Sequence, residues 1–186
     1  MKINKWAVGL VVLIVVVGGF ILLNNNKSAA PAQASAPTLP KYPVTLTAYN
    51  AVPEQTDSDP YTTASGAYSD PDVVAARSAD LADELPFGTV IAVSPASTTP
   101  TCGLNVVGDM IGFRVIADSM HSRKRNQIDI LFEAKPIGWK SNPAVTLGVC
   151  KNIQVQVVGH IDIAHMPHSQ TELKAALAKA PLAVNK

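Results

Sequence analysis

FRVIADSMHSRKRNQIDILF, residues 113–132, decides the fold class. It reads as two apolar strands, Phe113 to Asp118 and Ile128 to Phe132, flanking a polar and basic connection. Each strand carries one aspartate. Strand alternation predicts that Arg114, Ile116 and Asp118 share one face, and that Asp129 and Leu131 oppose Ile128, Ile130 and Phe132. An unpaired carboxylate inside an apolar strand is costly, so each acid needs a reason. One reason is a raised pKa, which suits a general acid. The other is a structural acid paired with Arg114, Arg123 or Arg125, and spacing alone leans that way. The basic run Arg123-Lys124-Arg125 reads either as a solvated turn or as a contact to an anionic or polar polymer.

Outward from this stretch the pattern stays β-rich. Val44, Leu46 and Ala48 alternate with Thr45, Thr47 and Tyr49, and Ile153, Val155 and Val157 alternate with Gln154 and Gln156. Val73 to Ala76 and Thr89 to Val93 read as further short strands. Ser78 is expected to cap a short helix running to about Leu85, which Pro86 ends. Asn50 to Asp72 is a long loop rich in Pro, Asp, Ser, Thr and Gly, a length that often marks function. Glu133 to Lys140 reads as a turn or short helix. Several short strands joined by loops predict a small barrel or sandwich over about residues 41–160, with enough chain for one core. Residues 161–186 form a tail that reads as peripheral, with a possible helix from Ser169 to Ala180 that Pro181 ends.

The charges nearly cancel, 15 basic against 14 acidic for a formal net of +1, so no long-range field favours nucleic acid. No phosphate loop or nucleotide fingerprint is present. His160, Asp162, His165 and His168 match no established zinc spacing, and neither metal nor cofactor is expected. The two cysteines, Cys102 and Cys150, lie 48 positions apart and outside any CxxC pair. They are read as one structural disulfide, with two separate buried thiols as the alternative.

Trp6 to Leu23 is an uncharged apolar run. At 1.5 Å per residue it would span roughly 27 Å, close to a bilayer core of ~30 Å. It reads as a retained N-terminal transmembrane helix over residues 1–23, with a cleaved signal peptide as the alternative. Residues 24–40, rich in Asn, Ala, Ser and Pro, read as a disordered linker. The expected placement is therefore a single-pass inner-membrane protein whose folded part faces the extracytoplasmic side. No protein partner is deducible.

VTLTAYN (44–50), TASG (63–66), VVAARSADLADELPFGTVI (73–91), VIADSMHSRKRNQIDILF (115–132) and VQVVG (155–159) resemble, in order, the 3D domain family, named for three aspartates. That family is similar to the C-terminal part of membrane-bound lytic transglycosylase A and to proteins like resuscitation-promoting factors. The resemblance implies a six-stranded double-psi β-barrel with short helices. It matches Asp118 and Asp129 to the second and third family aspartates, and Asp80 to the first, with Asp83 as the alternative. It implies peptidoglycan glycan strands as the partner and lytic cleavage between N-acetylmuramic acid and N-acetylglucosamine. Asp129 would be the acid/base and Asp118 and Asp80 its support. Thr63, Ser65, Arg123, Arg125 and Asn126 would contact substrate. The glycine-rich connection of the lytic relatives is replaced here by Ser119 to Arg125, and their second domain is missing. A non-catalytic glycan-binding or envelope-scaffold module is the competing expectation.

Overall fold

The computed structural model describes residues 38–56, 59–96, 102–134 and 142–179. Among the described residues, apolar-rich segments, some of them alternating with polar residues, build six strands. They are β1 (Lys41–Asn50), β2 (Val74–Arg77), β3 (Thr89–Pro95), β4 (Phe113–Ser119), β5 (Gln127–Phe132) and β6 (Cys150–His160). Among the described residues three short α-helices accompany them: α1 (Leu104–Val107), α2 (Pro143–Leu147) and α3 (Gln170–Lys179). The strands close into a mixed barrel in the order β1-β5-β2-β4-β3-β6. The pairs β1/β5 and β2/β4 are parallel and the other four are antiparallel. Closure leaves no strand edge unpaired.

The alternation sorts side chains to two faces. Leu46, Ile91, Ile116, Ile128, Ile130 and Ile153 are fully buried in the barrel interior. Each is worth about 1.5–3 kcal/mol of burial. The opposite face carries a second apolar cluster, including Tyr49, Val74, Ala76, Val115 and Leu131. The tail covers part of it. Leu173 of α3 is fully buried there, and Met166 is buried beside it. The expected peripheral tail is thus a docked element. Gln170 fixes it: its Oε1 accepts from Phe113 N at 3.0 Å, and its Nε2 donates to Asp72 O at 2.7 Å and Phe113 O at 2.8 Å.

At one end of the barrel, α1 lies against α2 and a disulfide ties them in. Cys102 bonds Cys150, with the Cα atoms 5.3 Å apart. The pairing expected from the sequence is formed. Gly103 is needed for the approach, since a Cβ there would stand 1.8 Å from Thr146 O. Asn50, buried at the end of β1, donates to Phe132 O and Glu133 O, and its Oδ1 accepts from Asn142 Nδ2 at 2.8 Å. Asn142 in turn caps α2 by accepting from Ala144 N. The disulfide closes a loop of 48 positions, which in chain-entropy terms is worth up to ~4 kcal/mol. Urea denaturation of Cys102→Ser/Cys150→Ser should show a loss of that order, with the reduced wild type matching the double variant.

Three further expectations are corrected. The N-terminal transmembrane helix, with the single-pass inner-membrane placement and the membrane partnership drawn from it, finds no counterpart in the fold. Among the described residues no helix is long and apolar enough to cross a membrane. The longest, α3, has 10 residues and spans only about 15 Å of a ~30 Å bilayer core. Trp6 to Leu23 itself, like most of the 24–40 linker, lies outside the described residues. What stands is a closed six-stranded mixed barrel with short helices. Next, Ser78 does not cap a helix to Leu85. A single 3₁₀ turn, Ala79–Leu81, follows it without a side-chain cap, because Ser78 Oγ is taken by Gln127 N across the sheet at 3.0 Å. The third correction concerns the face on which Asp118 lies. Residues 135–140 of the expected turn after β5 are outside the described residues.

Candidate active site

A register shift creates the site. β2 and β4 pair as Ala75 with Ile116 and then Ala76 with Asp118, which leaves Ala117 as the extra residue of a bulge. Regular alternation would place Asp118 beside Ile116 in the barrel interior. The bulge instead turns it to the face that carries Ala76, Tyr49 and Leu131. Bulges commonly re-aim a side chain in this way. On the same face Ala76 pairs with Asp129 of β5, and Asp129 with Thr47 of β1. The result is a row across four strands: Thr47, Asp129, Ala76, Asp118. At ~4.8 Å between strands, the two aspartate Cα atoms stand roughly 10 Å apart, with one alanine methyl between them.

Asp129, Ala76 and Asp118 of this row floor a cleft of about 520 Å³. Its walls come from the 50–72 loop, through Gln55, Thr62 and Ser69, and from the β4–β5 connection, through Met120, His121 and Lys124. The two carboxylates meet different surroundings. Asp118 is filled with donors. Its Oδ2 accepts from Tyr49 Oη at 2.9 Å, and its Oδ1 from Ala64 N at 2.9 Å and Ser119 N at 2.8 Å. Burial, reinforced by the neighbouring Asp118, raises the Tyr49 pKa and keeps that hydroxyl protonated as a donor. Asp129 accepts from the Thr47 hydroxyl at 2.7 Å, and that hydroxyl is itself held by Gln127 Nε2 at 2.9 Å. Burial pushes the Asp129 carboxyl up to about 6, against the Thr47 hydrogen bond and the Lys124 charge, and Asp118 adds to the rise. The site therefore holds one carboxyl that can carry a proton near neutral pH and one that serves as an acceptor.

The other residues singled out from the sequence take supporting places. Asp80 is exposed and does not line the cleft. Its Oδ2 accepts from Asn126 N at 2.9 Å, and bonds from Ser78, then Asn126, hold its carboxyl below the usual range. Asn126 takes a left-handed φ of 47° at the start of β5, so Asp80 secures the turn that leads to Asp129. Asp83 is exposed as well. Thr63 is buried, with its hydroxyl on Ala67 O and Ser65 Oγ. Ser65 N donates to Ala117 O at 3.1 Å. The TASG turn thus clamps the bulge and presents Ala64 N to Asp118. Arg125 donates to Ser122 O and Lys124 O within its own turn, and Arg123 is exposed outside the cleft lining.

Among the described residues neither Asp118 nor Asp129 forms a salt bridge, so the expected arginine pairing does not occur. Arg114 lies on the other face and binds backbone carbonyls. The tail histidines make separate pairs, His165 with Asp162 and His168 with Asp70. Among the described residues no group of three or more His, Cys, Asp or Glu is placed to hold a metal ion. Sequence reasoning missed Thr47, Tyr49, Ala76, Gln127 and the backbone of Ala64. The first two looked like the solvated side of an alternating strand. No family model matches the chain, and no curated protein matches it at a significant level.

Proposed function

We propose that this domain is a glycan-cleaving enzyme of the lytic transglycosylase type, built on a double-psi barrel, with Asp129 as its single acid/base. The observation that carries the reading is the inequality of the two aspartates. Asp129 sits half-buried at the cleft floor with its carboxyl pushed up to about 6, while Asp118 is saturated by three donors. The resemblance to the 3D family supports the substrate class, the bond between N-acetylmuramic acid and N-acetylglucosamine.

The chemistry follows from that inequality. The protonated Asp129 gives its proton to the glycosidic oxygen as the bond from the muramic acid C1 breaks. The C6 hydroxyl of the same sugar then attacks C1, and its proton returns to the Asp129 carboxylate. The products are a 1,6-anhydro sugar and a free N-acetylglucosamine 4-hydroxyl, with no water consumed. The internal hydroxyl gains from proximity. Two-carboxylate hydrolysis needs a second, available base or nucleophile, and Asp118, with both oxygens already accepting, is a poor one. Its role is to fix the bulge and the 60–72 loop around the cleft.

Digestion of purified sacculi by the full-length chain, with products read by mass spectrometry, tests the reading. Anhydro-muropeptides are expected from the wild type and not from Asp129→Asn. Reducing-end muropeptides instead would replace it with hydrolysis. The second reading, a non-catalytic glycan-binding module, draws on the hydrogen-bond chain from Gln127 through Thr47 to Asp129, which a scaffold would also need. Wild-type protein that sediments with sacculi and releases nothing would favour it.

A further inference from the structure

The hairpin that clamps the bulge borders a second hollow besides the cleft. Its turn, with Ser65 and Tyr68, and the start of the tail, with His165, Met166 and His168, line a groove of about 470 Å³, within the ~300–1,000 Å³ of small-molecule sites. Both walls are fixed. Thr63 N donates to Ala67 O at 2.8 Å, Gly66 N to Thr63 O at 2.8 Å, and Ser69 N to Tyr61 O at 2.9 Å. On the tail, Asp162 Oδ1 accepts from Ala164 N at 3.0 Å, and Met166 is buried in the second apolar cluster. The groove adjoins the cleft. Thr62 and Tyr68 pair across the hairpin, which brings cross-strand Cβ atoms to about 4.5–5.5 Å. Thr62 lines the cleft and Tyr68 the groove. Ser69, next to Tyr68, lines the cleft as well.

The groove is aromatic and bears no fixed charge: none of the described residues that line it is Lys, Arg, Asp or Glu. Tyr68 is 54% exposed despite its large ring. It meets the His168 ring at 6.4 Å between centroids and 56° between planes, an angled aromatic pair. The two imidazoles are held in the same way. His165 Nδ1 lies 2.9 Å from Asp162 Oδ2, and His168 Nδ1 lies 3.2 Å from Asp70 Oδ2. A carboxylate only accepts, so each Nδ1 carries a proton. Each Nε2 is left without a partner among the described residues. A preformed ring face beside fixed polar nitrogens suits a ligand with a C–H face and a hydroxyl rim. We infer that this groove is a further glycan subsite, in which Tyr68 stacks on an uncharged N-acetylhexosamine of the strand whose scissile bond lies over Asp129. The Nε2 atoms of His165 and His168 accept from its hydroxyls. This rests on the glycan-cleaving reading and says where the strand runs: out of the cleft, past Thr62 and Tyr68, and onto the tail.

The test follows one probe at two places. The full chain is titrated with neutral N-acetylglucosamine oligomers, a dimer and a hexamer, and alanine methyl resonances are read by NMR. Ala76 reports the cleft, and Ala67 and Ala164 report the groove. The hexamer should shift all three methyls and bind at least 10-fold more tightly than the dimer. Tyr68→Ala should bring the hexamer down to the dimer's affinity while Ala76 still shifts. Tyr68→Phe should keep the gain, because stacking needs the ring and not the hydroxyl. A hexamer that shifts Ala76 alone, a length gain that survives Tyr68→Ala, or no shift of any methyl overturns the inference. Anhydro-muropeptides released by a wild type whose Ala67 and Ala164 stay unmoved would overturn it and leave the lytic reading intact. Groove shifts that Tyr68→Ala abolishes, beside sacculi that no form cleaves, would sink the lytic reading and leave the sugar subsite standing.

Discussion

Asp129→Asn should inactivate the domain and, above pH 6, stabilise it. Removing a general acid is expected to cost about 10²- to 10⁴-fold in turnover. The stability sign follows from burial. The carboxyl is pushed up to about 6 in the folded state, against ~3.9 in an unfolded chain. The folded state thus holds the proton more tightly. Its stabilising contribution is full below the unfolded value, fades as pH rises between the two, and is gone above the folded value. Wild type above pH 6 then carries an ionised, poorly solvated carboxylate, at a cost on the order of 2–3 kcal/mol. Asparagine is neutral at every pH and its Oδ1 can still accept from Thr47. The melting temperature of Asp129→Asn should exceed wild type by roughly 5–10 °C at pH 7.5, and the gap should close near pH 4. Turnover by wild type should fall as pH rises through 6, because the acid must be protonated. Thermal scans from pH 4 to 8 beside sacculus digestion check both halves. A variant that melts lower than wild type at every pH would assign Asp129 to the scaffold.

That trade between stability and charge is visible only with the fold in hand, although most of the fold was legible. All six strands begin or end within two residues of where alternation placed them, because Leu46, Ile128 and Ile153 each sit in a regular in-out pattern. β6 runs further than its pattern suggested, back to the disulfide-bonded Cys150. The site was legible as two aspartates and illegible as a constellation. Alternation within β4 puts Asp118 with Ile116, and only its pairing to β2 creates the bulge that turns it around. Register between distant strands is a property of two segments, and no single strand encodes it. The donor from Ala64 is a backbone N–H, which carries no residue signature. Ser78 met the rule for a helix cap and was taken by a partner 49 positions away. The tail's docking could have been read from Leu173 and Leu177, four apart on one face of α3. Both meet the barrel's second apolar cluster.

Arg114→Met should be the most damaging single substitution in the barrel. The side chain is 1% exposed, and its donors are spent on four carbonyls from three segments. Nε donates to Ile111 O at 2.6 Å and Nη2 to Met110 O at 3.0 Å, before β4. Nη1 donates to Leu131 O in β5 at 3.2 Å and to Pro71 O at the end of the long loop. The guanidinium also lies over the Phe132 ring, 5.6 Å from its centre. Burial pulls the Arg114 pKa down to about 10, with Asp72 and Asp70 nearby raising it, so the group stays charged at neutral pH. Methionine fills much of the volume and satisfies none of the four acceptors. Leaving buried carbonyls unpaired costs about 1–3 kcal/mol each before relaxation, and water will reach some of them. A net loss of about 3–5 kcal/mol is expected, a large part of the 5–15 kcal/mol that holds a typical domain together. Arg114→Lys separates charge from geometry: one ammonium cannot span carbonyls on three segments. It should lose at least half as much stability as methionine. The damage reaches the cleft as well. Pro71 ends the loop that supplies Thr62, Ala64 and Ser69, and Leu131 is two residues from Asp129. Arg114 therefore ties the wall of the cleft to the strand that bears its acid. Turnover of Arg114→Lys measured well below its melting temperature should fall even where the protein is fully folded. Unchanged stability of Arg114→Met in urea would show that water or repacking replaces the clamp, and unchanged turnover of Arg114→Lys would confine the clamp to stability.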